Sequence, residues 1–185
     1  MSQDTLSLPL TLKALKLPAM AIHLADSVER AIAQGATYDG FLHELAEVEM
    51  ADRCRKRTER LLLESKLPLE KTFGTLDRTK LPQKIQRMLP SLLEGDFVGR
   101  AVNLLAFGLP GRGKTHLLCA FGHHLVRKGR RVLFTPAFAL VQRLLVAKRD
   151  LRLERELSNL EKYEVIIVDD IGYVQQAREE MEVLF

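Results

Sequence analysis

Several large classes are excluded by what this chain has little of. Among 185 residues there are only two cysteines, Cys54 and Cys119, and their separation has no metal-ligand spacing. So low a thiol content fits a reducing cytoplasm, where the protein is expected to reside. No apolar stretch approaches the roughly 20 residues of a membrane span, so no membrane association is expected. The opening Ser2-Gln3-Asp4 is polar, unlike a signal peptide. There is no internal repeat and no low-complexity tract. The charge excess is small: 28 Lys and Arg against 24 Asp and Glu give +4, too little to establish nucleic-acid binding. The apolar fraction, 46%, is that of a globular protein, and the length suits one compact domain plus a small accessory one.

What is present is more specific. Gly108-Leu109-Pro110-Gly111-Arg112-Gly113-Lys114-Thr115 matches in full the phosphate-binding pattern G-x-x-x-x-G-K-[ST]. The apolar run Ala101 to Phe107 before it has strand length, and His116-Leu117-Leu118-Cys119-Ala120-Phe121 after it begins a helix. That context separates a nucleotide site from a glycine-rich turn that merely fits the pattern. The glycines let the backbone bend until successive N–H groups converge on phosphate oxygens, and the helix start adds the positive end of its dipole. Lys114 supplies a point charge to the β- and γ-phosphates, and the Thr115 hydroxyl is a candidate Mg2+ ligand. The chain is expected to bind a nucleoside triphosphate.

A second motif concerns what is done with it. Tyr163-Glu164-Val165-Ile166-Ile167-Val168-Asp169-Asp170 is a β-branched run ending in two carboxylates, as expected of a buried parallel strand. In open α/β sheets ligands lie beyond the carboxyl ends of the strands. Asp169 is the candidate Mg2+ partner, through water or the Thr115 hydroxyl, and Asp170 the candidate for orienting or deprotonating a water. The alternative is an ordinary strand ending in a turn, for Asp-Asp-Ile-Gly is turn-like.

The rest of the chain reads as helices, then alternating strands and helices. Met20 to Gln34 carries Ile22, Ala25, Val28 and Ile32 at helical spacing with Gly35 as a stop. From Asp39, a candidate N-cap, a long helix runs toward Lys66 and is closed by Pro68. The stretch from Leu67 to Pro90 reads as a connector with a short helix. Strands are expected near 101–107, 131–135 and 164–169, and helices near 114–127, 137–148 and 152–161. This alternation predicts an α/β fold with a parallel sheet and flanking helices. Cys119, on the helix after the loop, is expected to be a small core residue.

Two readings stay open for the basic run on the long helix. Arg53, Arg55, Lys56, Arg57 and Arg60 could contact DNA phosphates, or form a solvated face paired with Glu47, Glu49 and Glu59. Tyr38 and Phe41 are the only aromatics nearby, which gives base stacking little support. Arg127, Lys128, Arg130 and Arg131 close the helix after the loop, where cations are favoured structurally. Lys148, Arg149, Arg152 and Arg155 read mainly as a solvated face. The histidines suggest no metal site beyond the Mg2+ carried with nucleotide.

The segment from Gly95-Asp96-Phe97 through the loop and His116, then Arg131-Val132-Leu133-Phe134-Thr135, then Val168-Asp169-Asp170-Ile171-Gly172-Tyr173, resembles the IstB-like helper ATPases of insertion sequences. These are AAA+ proteins close to the DnaC helicase loaders. Leu12 to Ala21 and Phe41-Leu42-His43-Glu44-Leu45 resemble the same family, so the likeness runs from about Leu10 to Phe185. It implies an AAA+ P-loop NTPase core, ATP with Mg2+, DNA binding, self-assembly into homo-oligomers and delivery of target DNA to the transposase of the same insertion sequence. It also implies that the approach to the core contributes to an adenine pocket. The expected organisation is an N-terminal helical domain over 1–66 for DNA or partner binding and oligomerisation, a connector over 67–94, and a partial AAA+ core over 95–185.

Three departures bear on activity. Arg112 replaces a small or hydroxylated residue and is expected to face solvent. Asp170 stands where many AAA+ proteins carry glutamate, so an attacking water must come closer or be reached through another. Third, the family continues beyond the carboxylate strand with a strand bearing a polar sensor and a segment with arginines, whereas here Ala177 to Phe185 begins an amphipathic helix and stops. The implied missing strand lies between the phosphate-loop strand and the carboxylate strand, leaving unpaired apolar edges. A C-terminally truncated core, poorly stable and weak or inactive as an ATPase, is therefore expected. The alternatives are a DnaC-like loader that grips a replicative helicase, or a non-hydrolysing nucleotide- or DNA-binding remnant. A small-molecule kinase would need a substrate lid that the sequence does not display.

Overall fold

The computed structural model describes residues 4–173. It divides into two compact units, Met1–Arg57 and Thr58–Phe185. The amphipathic helix expected over 177–185 lies outside the described residues.

The first unit is helical: α1 (Asp4–Ala14), α2 (Pro18–Gln34) and the N-terminal part of α3 (Tyr38–Ser65). Proline at the first turn of α2 costs no hydrogen bond, because the leading amides of a helix have no partner within it. Gly35, at φ 59°, turns left-handed and ends the helix, as its position in the sequence suggests. Two expectations need correction. The buried side of α2 is Met20 and Ser27, with Leu24 and Ala31 half-buried, while Ile22 and Ile32 are 70% and 77% exposed. Met20 and Leu24 supply the apolar bulk of that side, and the small Ala19, Ser27 and Ala31 let the chain pack closely beside them. The N-cap of α3 is Thr37, whose Oγ1 accepts from the Gly40 amide at 3.2 Å, and Asp39 lies inside the helix.

The second unit follows the C-terminal end of α3 with a connector, helix α4 (Gln83–Glu94), the short α5 (Asp96–Gly99) and α6 (Lys114–Arg127). Strand β1 (Val132–Pro136), helices α7 (Ala137–Arg149) and α8 (Leu153–Leu160), and strand β2 (Val165–Asp169) complete it. The strands pair in parallel with Val132 opposite Val165 and Pro136 opposite Asp169. Alternation along each strand sends Val132 and Ile167 toward α6, where they join Cys119, Leu125 and Val126 in one apolar cluster. Leu133 and Val168 face the other way, onto Leu140 and Leu144 of α7 and Leu160 of α8. Helices thus cover both faces of a small parallel sheet. On its far side α6 packs against the connector through Phe121, which meets Phe73 edge-on at 5.2 Å, and through Leu81 and Leu89.

The strand expected over 101–107 is not formed. Residues 102–109 have no paired strand structure, and the two-stranded sheet contains β1 and β2 alone among the described residues. An apolar run becomes a strand only when a neighbour offers it a ladder. Here β2 and this segment are separated by a groove of about 500 Å³ whose lining includes Val102, Leu104, Ile166 and Val168. Leu105 and Phe107 stay 72% and 87% exposed. The connector also differs from expectation: α4 continues through Pro90 to Glu94 and stops at Gly95, with φ 83°.

Candidate nucleotide site

The loop expected to cradle phosphate leads directly into α6, with Gly113 at its N-cap position. Gly111 and Gly113 have φ of 76° and 78°, a left-handed backbone that side chains with a Cβ resist. Left-handed residues at 111 and 113 allow the loop amides to turn toward an anion at the positive end of a 14-residue helix. Lys114 Nζ donates to the Leu109 carbonyl at 3.1 Å, so the ammonium reaches back over the loop. Arg112 is exposed.

The carboxylates arrive from the end of β2. Thr115 Oγ1 donates to Asp169 Oδ1 at 2.9 Å, joining residues 54 positions apart. Asp170 follows at φ 58°, a left-handed conformation that aspartate tolerates better than most residues, and its side chain is exposed. The chain then makes a single 3-10 turn over Ile171–Tyr173. Lys16, Lys66, Ala101 and Leu151 share this left-handed backbone where helices end, so at Asp170 it shapes the turn after β2 and the candidacy rests on the sequence.

Sequence reasoning assigned no role to the histidines of α6, and here the structure adds something. His116 Nε2 contacts the Thr72 carbonyl at 3.1 Å, His123 Nε2 the Pro68 carbonyl at 2.9 Å, and His124 Nε2 the Leu93 carbonyl at 2.9 Å. Carbonyl oxygens only accept, so each ring carries its proton on Nε2. Lys128 adds bonds to the Leu93 and Glu94 carbonyls at 2.7 and 3.0 Å. The helix behind the loop is therefore fastened to the connector by imidazoles along its length. The spacing of 116, 123 and 124 places them toward one side of the helix, but nothing in it points to the carbonyls they meet.

Cys119, between these contacts, is completely buried, and that burial pushes its thiol up to about 11. A thiol reagent at pH 8 is expected to label Cys54, which is exposed, at least about a hundredfold faster than Cys119. Mass mapping of the modified peptides over time checks this, and equal rates would contradict the buried placement.

The family model described as IstB-like ATP binding protein matches residues 10–185. The chain belongs to this family. A protein of Sinorhizobium fredii named as an insertion-sequence ATP-binding protein is 37% identical over 98% of this chain and 61% of its own length. The ATP-binding protein named for insertion sequence IS21 in Pseudomonas aeruginosa is 35% identical over 96% of this chain and 67% of its own. The one named for IS5376 in Geobacillus stearothermophilus is 35% identical over 87% and 64%. The chain thus spans roughly three fifths to two thirds of the length of these relatives. Membership in this P-loop family accords with the small parallel sheet and its covering helices.

The basic run on α3 is laced with carboxylates in this family member. Arg53 Nε donates to Glu49 at 2.8 Å and its NH2 to the Lys16 carbonyl at 2.6 Å. Arg55 and Lys56 both pair with Asp52, at 2.6 and 2.7 Å, and Arg60 lies 3.8 Å from Glu64. The carboxylates engaged with these cations include Glu49, Asp52 and Glu64. The Arg53, Arg55 and Lys56 side chains are all more than half exposed, but Arg53 also bonds a backbone carbonyl, that of Lys16 between α1 and α2. Exposed pairs of this kind contribute only about 0–1 kcal/mol, so a phosphate chain can displace them. Arg130 and Arg131 pair with Glu164 and Glu64, and Arg149 and Arg152 with Asp150. Among the described residues, no helix is long and apolar enough to cross a membrane.

Proposed function

We propose that this chain binds ATP with Mg2+ in the loop from Gly108 to Thr115 and acts as the nucleotide-dependent helper of an insertion-sequence transposase, holding DNA through α3. The observation that carries the reading is the 2.9 Å bond from the Thr115 hydroxyl to Asp169 at the mouth of the loop. Two hard oxygen donors side by side, next to a lysine and a row of amides, suit a magnesium triphosphate and little else. Loop amides and Lys114 hold the phosphates. Thr115 and Asp169 are the residues to hold Mg2+, which when bound neutralises charge between the β- and γ-phosphates. Asp170, exposed just beyond Asp169, would be the residue to orient an attacking water. The names of the relatives tie them to insertion sequences, and this supports a transposition system as the setting, with DNA and a transposase as partners.

Equilibrium titration with fluorescently labelled ATP tests the nucleotide part. Saturable binding that weakens when EDTA replaces Mg2+ is expected, and no saturation on folded protein would overturn it. The DNA part has its own test. The double variant Arg55→Glu, Lys56→Glu is expected to weaken duplex binding about tenfold or more and to lower the slope of log affinity against log salt by about 2. An unchanged slope would remove α3 from the interface.

A further inference from the structure

Beside the phosphate loop lies a cavity of about 380 Å³, within the roughly 300–1,000 Å³ span of small-molecule pockets. Thr75, Leu76, Asp77, Lys80 and Leu81 of the connector line one side, Gly111 to Gly113 of the loop the other, and His116 joins them. The six-residue turn over 70–75 delivers Thr75 to that wall, and the Thr75 hydroxyl closes the turn. Thr75 Oγ1 donates to the Glu70 carbonyl and accepts from the Thr72 amide at 3.1 Å. The His116 ring holds this turn to the start of α6: its Nε2 lies 3.1 Å from Thr75 Oγ1 and 3.1 Å from the Thr72 carbonyl. With the Thr75 proton committed to Glu70, the Nε2–H is the donor in both contacts. His116 also directly follows Thr115, the residue bonded to Asp169. One imidazole therefore sets the spacing between the wall of the cavity and the phosphate end of the site.

We propose that His116 is a positioning residue for the nucleoside half of the ligand, fixing the turn that places Thr75, and the 76–81 wall that follows it, against the cavity without touching the phosphates. The proposal rests on nucleotide binding at the 108–115 loop, with the base and sugar in the adjoining cavity as the family resemblance implies; what it adds is the part His116 plays in shaping that cavity. It separates two parts of the ligand that can be measured independently, because tripolyphosphate carries the phosphate tail alone. Competition titrations of ATP and of tripolyphosphate, each with Mg2+, are run on wild type, His116→Ala, His116→Gln and Thr75→Val, with a thermal melt for each.

Wild type is expected to bind ATP more tightly than tripolyphosphate. His116→Ala loses roughly tenfold in ATP affinity while tripolyphosphate changes less than about twofold, the scale of one or two hydrogen bonds lost from the wall. Thr75→Val repeats that pattern. His116→Gln, whose amide N–H can reach the same two acceptors, recovers ATP affinity to within about threefold of wild type. Equal losses for both ligands in His116→Ala would make the residue a support of the phosphate loop and overturn the proposal. No loss for either would do the same, as would equal wild-type affinities for ATP and tripolyphosphate. Wild-type protein that binds neither ligand would instead overturn the phosphate-loop reading itself.

Discussion

Lys114→Ala is expected to weaken ATP binding by at least about a hundredfold and to leave the thermal midpoint within a few degrees of wild type. Among the described residues the ammonium bonds the exposed Leu109 carbonyl, so its removal leaves no buried partner stranded. Toward a triphosphate it is a full charge at hydrogen-bond range, and bonds to charged groups contribute about 1.5–3 kcal/mol each. Two such bonds make a hundredfold loss a conservative figure. Asp169→Asn is expected to cost less, about tenfold, and only with Mg2+ present, because the amide keeps an acceptor for Thr115 while losing its charge. DNA binding should survive both changes, since the basic run lies on α3. Isothermal titration of ATP against each variant decides the matter. An affinity for Lys114→Ala within threefold of wild type would remove the loop from nucleotide binding.

Legibility in the sequence followed how local each cause was. Strands β1 and β2 and helices α6, α7 and α8 lie within a residue or two of the expected spans, because each is an apolar run or amphipathic period that buries itself against immediate neighbours. Joining Thr115 to Asp169 needed only the rule that loops and strand ends meet at one edge of a parallel sheet. The strand expected at 101–107 rested on composition alone, and composition cannot supply a pairing partner. On α2 the face was misread because Ser27 and Ala31 are unremarkable as letters but small enough to be packed upon. The histidine bonds from α6 reach carbonyls 31 to 55 positions away, and no local pattern announces a backbone acceptor. The same is true of the contact that secures the first unit.

Glu49→Ala is expected to destabilise that helical unit by about 2–4 kcal/mol. Helix α2 begins after Leu17, which offers no side-chain cap, and its leading amides would be orphaned. Glu49 of α3 takes the role from 30 positions away: Oε2 accepts from Ala19 N at 2.8 Å and Met20 N at 3.2 Å, while Oε1 accepts from Arg53 Nε. The residue is only 3% exposed. Burial alone would raise its pKa; the bonds from Arg53 and from the Met20 and Ala19 amides outweigh that and hold it below the ordinary 4.5. Removing the carboxylate leaves two amides without an acceptor at about 1–3 kcal/mol each, partly recovered if water enters. The Arg53 side chain is 57% exposed, so the ion pair itself adds little. Glu49→Gln, which retains an acceptor, should cost roughly half as much. The depressed pKa also fixes the acid response: the contribution is full above about pH 4.5 and drains away as pH falls through the lower native value. Urea unfolding followed by circular dichroism at pH 7 and pH 3 measures both effects. The wild-type advantage over Glu49→Ala should shrink at pH 3, and a constant difference across that range would show that the charge on Glu49 has no part in holding α2.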